Sequence, residues 1–446
     1  MRVIIIGAGK VGYNIAQILS YENHDIVVIE KDEERYKIIE ESLDVQAIHG
    51  SGASSEILEQ ADVYAADLLI AVTEFDELNM IACVLAKQYG VPKTVARVRN
   101  PEYADNNLLT QSPVLGIDLL INPEKVTASE ISQLIEVPEA IDVEYYADGK
   151  IQLLELGINE DAPIINSYLK DIQTPYRYVI VAILRDEKMI IPRGNDIIKK
   201  NDIIFVLAKT KDMIHIEKLM GKERAKIRNV MILGGGRIGY YLAKLLEDKK
   251  IGVKIIEKNI SRCREIAKNL NSALVLHGDG SDIDFLKEEG AGDVDAFVAL
   301  TDDDKLNLLV SLLAKHLGVE KTIAQIRRSD YLPLVERVGI DIAVSPRLLT
   351  AAAILKFIRK GKIINVSLLS GAKAEMIELI VPEHSKIVNK YIRDLNFPEG
   401  AIIGSIGRDD DALIPSGNDY LVPGDRIIIF ALPKAVHKVE SFFSGR

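Results

Sequence analysis

Two short glycine-rich segments have the spacing that lets a protein backbone approach a phosphate group. The first reads VIIIGAGKVG (Val3–Gly12) and the second reads VMILGGGRIG (Val230–Gly239). In a GxGxxG turn between a strand and a helix, the first glycine permits the tight turn and the second lets the backbone approach a pyrophosphate. The third allows the helix to pack closely against the strand. The free N–H groups at the start of the helix then bind the phosphate.

An acidic residue follows each glycine segment at the same interval. Glu30 and Glu257 each lie 18 residues after the last glycine of their segment, where the next apolar run ends. An acid at this position binds the ribose 2′-hydroxyl of a dinucleotide and repels the 2′-phosphate of NADP. The two acids therefore favour NAD or NADH as the ligand. ATP and ADP are the alternative ligands, because they carry the same ribose.

Further polar residues recur near the ends of the predicted strands, where open α/β sheets bind their ligands. Lys10 and Arg237 lie inside the glycine turns, and each either meets a phosphate or is solvated at a helix start. Ser51 and Asp279 follow the third strands, as adenosine contacts or as helix caps. The sequence alone leaves both alternatives open for each pair.

The fourth and fifth strands end in residues that suit a phosphate site, and here the two repeats differ. Thr73 and Thr301 end the fourth strands. After the fifth strands Arg99 corresponds to Arg327, but Arg97 corresponds to Gln325. We therefore expect two unequal pockets, of which the second lacks one phosphate contact. The residues assigned to cofactor binding are Gly7, Ala8, Gly9, Lys10, Val11, Gly12, Glu30, Ser51, Thr73, Glu74, Arg97, Arg99, Gly234, Gly235, Gly236, Arg237, Ile238, Gly239, Glu257, Asp279, Thr301, Asp302 and Arg327.

Composition narrows the classes of function. The 446 residues carry a formal net charge of −11, which argues against general nucleic-acid binding. The two cysteines, Cys83 and Cys263, lie in predicted helices without metal-ligand spacing, which fits a reducing cytosol. A strand at the N-terminus predicts that there is no signal peptide, and no apolar run approaches the ~18–20 residues of a membrane helix. A membrane role would have to come through a partner.

The sequence contains no recognisable catalytic motif. There is no GxxxxGK[ST] loop of a P-loop NTPase and no HExxH or HxH cluster. His49 and His277 precede the repeated glycines of HGSG and HGDG, where a structural turn histidine is the favoured interpretation over a catalytic one. No acid–base pair for a nicotinamide substrate is apparent. We therefore predict a regulator without catalytic or metal residues, and keep an NAD-dependent oxidoreductase as the rival hypothesis.

The glycine segments belong to a repeat of about half the chain. Beyond the Rossmann-like part, IPRGNDIIKKNDIIFVLA (Ile191–Ala208) recurs as IPSGNDYLVPGDRIIIFAL (Ile414–Leu432). The fold predicted is α/β, with two Rossmann-like, doubly wound parallel sheets, each followed by a small α+β domain. The predicted domains are residues 1–136, 137–219, 227–359 and 360–446, with a polar linker at Met220–Arg228.

Joints within each half are predicted at Val137-Pro138 and at Lys360-Gly361-Lys362. The apolar segments Val126–Leu134 and Leu348–Ile358 follow the last Rossmann strands. They are candidate pairing surfaces, with packing against their own sheets as the alternative.

The segments TEFDELNMIA (Thr73–Ala82) and ARVRNPEY (Ala96–Tyr103), together with the doubled glycine and HGxG motifs, resemble the TrkA family. This family comprises the peripheral subunits of bacterial and archaeal Trk potassium transporters, built from tandem RCK modules, each an RCK-N (KTN) Rossmann domain followed by an RCK-C domain. The resemblance covers almost the whole chain. It implies a homo-oligomeric, nucleotide-binding regulator that gates a membrane-embedded Trk subunit at the cytoplasmic face of the cell membrane. A dinucleotide sensor for another ion transporter, such as an antiporter, fits the same residues.

Overall fold

The computed structural model describes residues 1–21, 24–104, 116–137, 140–147, 149–186, 188–222, 227–328, 331–332, 335, 338–358, 363–369, 374–383, 385, 387–408 and 411–444. The chain divides into two compact units. The first unit comprises Met1–Ser132 and Arg228–Ile358, and the second comprises Gln133–Ile227 and Arg359–Arg446. Each unit therefore joins equivalent parts of the two repeats, although these parts alternate along the chain.

The first part of the first unit is a six-stranded parallel sheet in the order β3-β2-β1-β4-β5-β6. Its central strand is apolar on both faces, and Val3 to Ile6 are fully buried, as expected where helices cover both sides. The strand order reverses between β1 and β4, which opens a crevice at their carboxyl ends. The strands are β1 (Arg2–Ile6), β2 (Asp25–Glu30), β3 (Gln46–His49), β4 (Leu68–Ala71), β5 (Lys93–Arg97) and β6 (Leu119–Ile121).

Amphipathic helices connect these strands. In the helix that follows β1, the buried residues Val11, Ile15 and Leu19 recur at intervals of four and so form one apolar face. Asp32 caps the next helix by accepting a hydrogen bond from the Arg35 N–H at 2.9 Å. The helices are α1 (Lys10–Tyr21), α2 (Glu33–Ser42), α3 (Ser55–Gln60), α4 (Asp76–Gln88), α5 (Pro101–Ala104) and α6 (Pro123–Glu136).

The first part of the second unit is an antiparallel sheet in the order β10-β9-β11-β8-β7. The repeated GND motif forms a turn, in which the Asp196 carboxylate accepts a hydrogen bond from the Arg193 N–H at 2.6 Å. The elements are β7 (Asp142–Tyr146), β8 (Ile151–Gly157), β9 (Tyr178–Arg185), β10 (Lys188–Ile190), β11 (Ile203–Lys209) and α7 (Met213–Leu219).

The second Rossmann domain repeats the order of the first, as β14-β13-β12-β15-β16-β17. All five strand pairs are parallel. The strands are β12 (Asn229–Leu233), β13 (Gly252–Glu257), β14 (Leu274–His277), β15 (Ala296–Ala299), β16 (Lys321–Gln325) and β17 (Ile342–Val344). The helices are α8 (Arg237–Asp248), α9 (Ile260–Asn269), α10 (Ile283–Glu288), α11 (Asp304–His316) and α12 (Pro346–Ile358).

Helix α12 packs on the first repeat. Ala351, Ile354 and Leu355 are buried in the same apolar cluster as the residues of β1 and α1. In the other direction, Ser132 of α6 accepts a hydrogen bond from Lys249 Nζ at 2.8 Å, just after α8. The candidate pairing surfaces predicted at these two helices thus meet the neighbouring repeat of the same chain.

The second part of the second unit is again antiparallel, in the order β18-β19-β22-β20-β21. Its core is shared with the preceding part of this unit, and the Phe205 and Phe430 rings lie 6.2 Å apart. Arg177 also forms an ion pair of 3.1 Å with Asp419. The elements are β18 (Ile363–Leu369), β19 (Ala374–Ile380), β20 (Ala401–Arg408), β21 (Asp411–Leu413), β22 (Arg426–Ala431) and α13 (Val436–Ser444).

The α/β fold with two parallel Rossmann-like sheets is therefore confirmed, and the two small domains contain antiparallel sheets. No helix in the described part of the chain has both the length and the apolar character needed to span a bilayer. Both cysteines are buried, on α4 and α9. Pro138, Lys360–Lys362 and residues 223–226 of the predicted linker lie outside the described residues, and the domain boundaries stay predictions.

A candidate nucleotide-binding site

The three glycines of the first turn lie in different surroundings. Gly7 has a φ of +98°, a conformation that L side chains rarely adopt. A Cβ on Gly12 would lie 1.9 Å from the Gly7 carbonyl oxygen, so the start of α1 packs on the turn itself. A Cβ on Gly9 would meet only Arg35 Nη1, at 3.9 Å, among the described atoms. Gly9 thus faces open space, as expected for a backbone that must admit a phosphate.

The second turn has the same geometry. Gly234 has a φ of +109°, and a Cβ on Gly239 would lie 2.1 Å from the Gly234 oxygen. No described atom lies within 4 Å of a Cβ built on Gly236. At the position of Ala8, the second repeat has Gly235, where a Cβ would approach Ile266 Cδ1 to 2.8 Å. The helices begin directly after the turns, at Lys10 and Arg237, so their first N–H groups are directed towards the turns.

The two acids clamp the glycine turns. Glu30 is buried, and its carboxylate accepts hydrogen bonds from the backbone N–H groups of Ala8, Lys31 and Asp32 at 2.5, 2.7 and 2.8 Å. Glu257 accepts the Gly235 N–H at 2.8 Å in the same way. The sequence motif marked these acids as ribose contacts only. Their second role, holding the turn against the end of the neighbouring strand, was missed because it depends on the backbone geometry.

A buried asparagine organises the strand ends in each repeat. The Asn79 Oδ1 accepts hydrogen bonds from the Thr73 N–H and hydroxyl at 2.9 and 2.7 Å. The Asn79 amide donates to the Thr73 and Arg97 carbonyl oxygens at 3.1 and 2.8 Å. Asn307 makes the equivalent bonds to Thr301 and to Gln325. No sequence motif gave this asparagine a role, and the structure shows that it ties the end of β4 to the end of β5.

The arginines after β5 are held in different ways. Arg97 Nη1 lies 3.4 Å from the Thr73 carbonyl oxygen, and its buried Nε has no hydrogen-bond partner among the described residues. Burial, with the charge of Arg99, lowers the pKa of Arg97 below its ordinary value. Arg99 is paired with the buried carboxylate of Glu124 at 2.6 Å. In the second repeat Gln325 donates to the Thr301 oxygen at 3.2 Å, and so replaces the contact of Arg97.

A cavity of about 1300 Å³ lies in the first unit, beside the glycine turn of the first repeat. Its lining brings together most of the predicted first-site residues, namely Gly7, Ala8, Gly9, Lys10, Val11, Glu30, Ser51, Thr73, Glu74, Arg97 and Arg99. Gly12 lies beneath the turn instead, against Gly7. Ser345, Arg347 and Leu348 of the second repeat also line the cavity. None of the three was predicted as a site residue, although Leu348 begins a segment predicted as a pairing surface. Tertiary packing of α12 places them there, which no local motif signals.

Arg327 requires a correction. The sequence assigned it to the second site, but its side chain lines the cavity of the first repeat. It is also paired with Asp302 of its own repeat. The reason is that the carboxyl ends of the two sheets lie close enough in the first unit for one side chain to reach both. The two pockets thus differ at Arg97 and Gln325, and also because Arg327 lines the cavity of the first repeat.

Of the other predicted second-site residues, Glu257 and Thr301 lie beside the second turn. Asp279 is paired with Lys258 at 2.7 Å, and this hydrogen bond holds the pKa of the carboxyl well below its usual range. Ile238 follows Arg237 in the first turn of α8. His277 Nε2 lies 3.1 Å from the Lys258 oxygen, and His49 Nε2 lies 2.9 Å from the Lys31 oxygen. Each histidine therefore contacts the backbone directly after the acid that ends the neighbouring strand.

Comparison with known proteins gives consistent matches. The family model of the TrkA-N domain matches residues 3–123 and 230–346, and that of the TrkA-C domain matches residues 153–221 and 376–444. The Trk system potassium uptake protein TrkA homolog 2 of Methanosarcina mazei is 43% identical over 99% of this chain and its own full length. The Trk system potassium uptake protein TrkA of Halomonas elongata is 36% identical over 99% of this chain and 98% of its own.

Among solved structures, the RCK domain of GsuK aligns with a TM-score of 0.62 over all of this chain and 95% of its own. The GsuK channel bound to NAD aligns with a TM-score of 0.63 over all of this chain and 79% of its own. Both are 18% identical to this chain, so they support the fold alone. The family models and the full-length relatives together show that the chain belongs to the TrkA family of Trk system potassium uptake proteins.

Proposed function

We propose that this chain is a nucleotide-sensing regulatory subunit that gates a membrane potassium uptake transporter. The observation that carries the proposal is the cavity of the first repeat. Open space at Gly9 and the buried acid Glu30 lie on this cavity, where we propose that the phosphate and the ribose bind, and residues of the second repeat also line it. Membership of the TrkA family supplies the link to potassium uptake.

NAD or NADH is the proposed ligand, with ATP or ADP as the alternatives that share the adenosine end. The motif position of Glu30 supports this choice, because an acid there would repel the 2′-phosphate of NADP. A neighbour in fold, the GsuK channel, has been solved with NAD bound. We expect the first site to bind more tightly than the second, because Gln325 has no charge to offer a phosphate.

We propose regulation without catalysis, and the residues around the cavity support this choice. Its described lining contains no histidine and no cysteine. Of its three acids, Glu30 accepts hydrogen bonds from backbone N–H groups, Asp32 caps a helix, and Glu74 lies 3.7 Å from the Arg35 guanidinium. An oxidoreductase would need a group that exchanges a proton with the substrate beside the nicotinamide. Incubation with NADH and candidate substrates should leave the nicotinamide absorbance unchanged, and a substrate-dependent change would favour the oxidoreductase hypothesis.

The mechanism we propose is a change in the spacing of the two repeats of the first unit. A ligand can shift a conformational equilibrium only through its different affinity for the two states. A nucleotide that contacts Glu30, the glycine turn and Arg327 would fix the distance between the two Rossmann domains. Nucleotides of different length and charge would fix different distances. The chain segments that follow each Rossmann domain would carry this change to the rest of the protein and to its partner.

The proposed partner is the membrane-embedded Trk subunit, and the proposed assembly is a homo-oligomer at the cytoplasmic face of the cell membrane. Regulation of another ion transporter is the second candidate. Affinity purification of the full chain from its own membranes, followed by identification of the bound membrane proteins, separates the two. Recovery of a potassium transporter subunit supports the proposal, and recovery of a different transporter contradicts it. Light scattering that shows a stable monomer at micromolar concentration would contradict the homo-oligomer.

A further inference from the structure

Two tyrosines lie together on the first Rossmann domain, away from the cavity. Tyr64 is in the turn before β4, and Tyr89 follows α4, shortly before β5. Segments that lead from a helix into a parallel strand lie at the amino ends of the strands, whereas the cavity lies at the carboxyl ends. Since β4 and β5 are neighbours in the sheet, both tyrosines are at one edge, opposite the proposed nucleotide site.

The two rings are held in a fixed arrangement. They pack edge to face, with centroids 4.9 Å apart and an angle of 83° between the ring planes. The Tyr89 hydroxyl donates a hydrogen bond to Glu59 at 3.1 Å, which holds a carboxylate beside the rings. Tyr64 is 66% exposed, although Val63 beside it in the chain is fully buried and anchors the turn. Tyr64, Tyr89 and Glu59 form what we call the tyrosine patch. Exposed tyrosines in such a setting are typical of protein interfaces.

The fold of the turn does not require these residues. The corresponding turn before β15 also passes through the left-handed region, at Gly290 with a φ of +75° where the first repeat has Asp62 with a φ of +54°. The second repeat has Gly292 in place of Tyr64, Leu317 in place of Tyr89 and Lys287 in place of Glu59. The same turn thus forms without the tyrosine patch, so the patch is explained by a role that only the first repeat has.

The segment that carries Tyr64 is acidic. Residues 55–67 include Glu56, Glu59, Asp62 and Asp67, and no lysine or arginine. Basic residues at the same edge are already engaged: Arg2 is paired with Asp25 at 2.5 Å, Lys87 is paired with Asp118 at 2.8 Å, and Lys93 Nζ lies 5.9 Å from the centre of the Phe357 ring. The tyrosine patch therefore combines aromatic faces with an excess of negative charge.

Such a surface fits a basic partner. A lysine or arginine side chain over the face of a tyrosine gains a cation–π attraction, and it can pair with a carboxylate at the same time. Anionic phospholipid headgroups would be repelled. A second copy of this chain is also disfavoured, because each copy carries a formal net charge of −11. Cytoplasmic loops of membrane proteins, in contrast, carry an excess of lysine and arginine.

We propose that the tyrosine patch docks a lysine- or arginine-rich cytoplasmic loop of the membrane partner. The inference rests on the proposed function, because it names the surface through which the first Rossmann domain meets that partner. Helix α4 carries Asn79, which is bonded to Thr73 on the cavity, and Tyr89 directly follows this helix. One helix thus connects the nucleotide cavity with the tyrosine patch.

The inference is tested by binding of the purified full chain to inverted membrane vesicles of its own cells, with and without the membrane-embedded Trk subunit. We expect binding that requires this subunit and weakens as salt is raised. Tyr64→Ala should weaken binding by at least about tenfold, as for an interface hot spot. Glu59→Lys, which introduces the residue of the second repeat, should weaken binding by at least about tenfold through charge repulsion. Tyr64→Trp keeps an aromatic face and should retain binding.

The chain offers a matched control for each change. Tyr391 is 47% exposed and packs edge to face with Tyr420 in the second unit, so Tyr391→Ala removes a comparable tyrosine. Glu288→Lys makes the charge change of Glu59→Lys on α10, which corresponds to α3. Both controls should bind the vesicles as the wild type does. All variants should keep the thermal stability and the NAD affinity of the wild type, because the tyrosine patch lies opposite the cavity.

Three results would overturn this inference and leave the proposed function intact. The first is equal binding of wild type and Tyr64→Ala to vesicles that contain the Trk subunit. The second is binding to pure phosphatidylglycerol vesicles that Tyr64→Ala abolishes, since the patch would then contact lipid. The third is dissociation of the oligomer by Tyr64→Ala in light scattering, since the patch would then contact a second copy. Wild-type binding that does not depend on the Trk subunit would overturn the proposed partner as well.

Discussion

Replacement of Gly9 by valine should remove nucleotide binding at the first site while leaving the protein folded. A Cβ at this position meets only Arg35 Nη1 at 3.9 Å among the described atoms, so the side chain has room. Gly9 directly precedes α1, and valine is a poorer residue than glycine at the start of a helix, which costs about 1 kcal/mol of stability. The protein should therefore remain folded at room temperature.

The loss of binding can be estimated from the groups that the new side chain covers. Valine at Gly9 occupies the space through which a pyrophosphate approaches the N–H groups at the start of α1. Loss of two hydrogen bonds to a charged phosphate costs about 3–6 kcal/mol, which is a ~10²–10⁴-fold weaker affinity. Calorimetry with NAD and ATP, with thermal unfolding to confirm the fold, measures both effects.

The chain provides two matched controls for this substitution. Gly236→Val makes the same change in the open part of the second turn and should leave the first site unaffected. Gly12→Ala places a Cβ 1.9 Å from the Gly7 oxygen, so it should destabilise the first Rossmann domain itself. Unchanged first-site affinity in a folded Gly9→Val protein would refute the assignment of the phosphate position.

Three further substitutions test other parts of the site. Glu30→Gln should weaken NAD binding by about 1–3 kcal/mol and reduce the preference for NAD over NADP; wild-type protein that binds both equally would show that the role given to the acid is wrong. Asn79→Ala removes hydrogen bonds to both strand ends from a fully buried position, and a thermal or chemical denaturation should show a loss of about 2–4 kcal/mol. Arg97→Gln copies the second repeat, where Gln325 keeps the carbonyl contact, so it should preserve stability and lower the affinity for ATP by about tenfold; unchanged ATP binding would remove Arg97 from the phosphate site.

The parts of the site that the sequence predicted are those that depend on local geometry. The motif roles of Gly7, Gly9 and Gly12 depend on one strand–turn–helix. The structure shows the positive φ of Gly7 and the close packing of Gly12, and the phosphate approach at Gly9 stays a prediction. The parallel sheets were predictable because short apolar runs alternate with amphipathic helices. The glycine turn and the alternation of strands with helices both occur twice in this chain, so the predicted fold did not depend on a single motif.

The parts that the sequence missed depend on how the two repeats pack. Arg327 was placed in the second site because its position in the repeat matches Arg99, but the packing of the repeats brings its side chain into the first cavity. Arg347 carries no motif, and its position becomes informative only once α12 is seen to contact the first repeat. The hydrogen bond from the Ala8 N–H to the Glu30 carboxylate was missed because it joins two separate segments through the backbone of a turn.

We propose that a nucleotide bound in the first unit controls transport without being consumed. The most direct test is potassium flux through the chain reconstituted with its membrane partner, measured with NAD, NADH, ATP or ADP and with binding verified in each case. We expect flux to differ between nucleotide states, the nucleotides to be recovered unchanged, and the Gly9→Val complex to lose the response to nucleotide. Equal flux in every nucleotide state, with binding confirmed, would contradict the account.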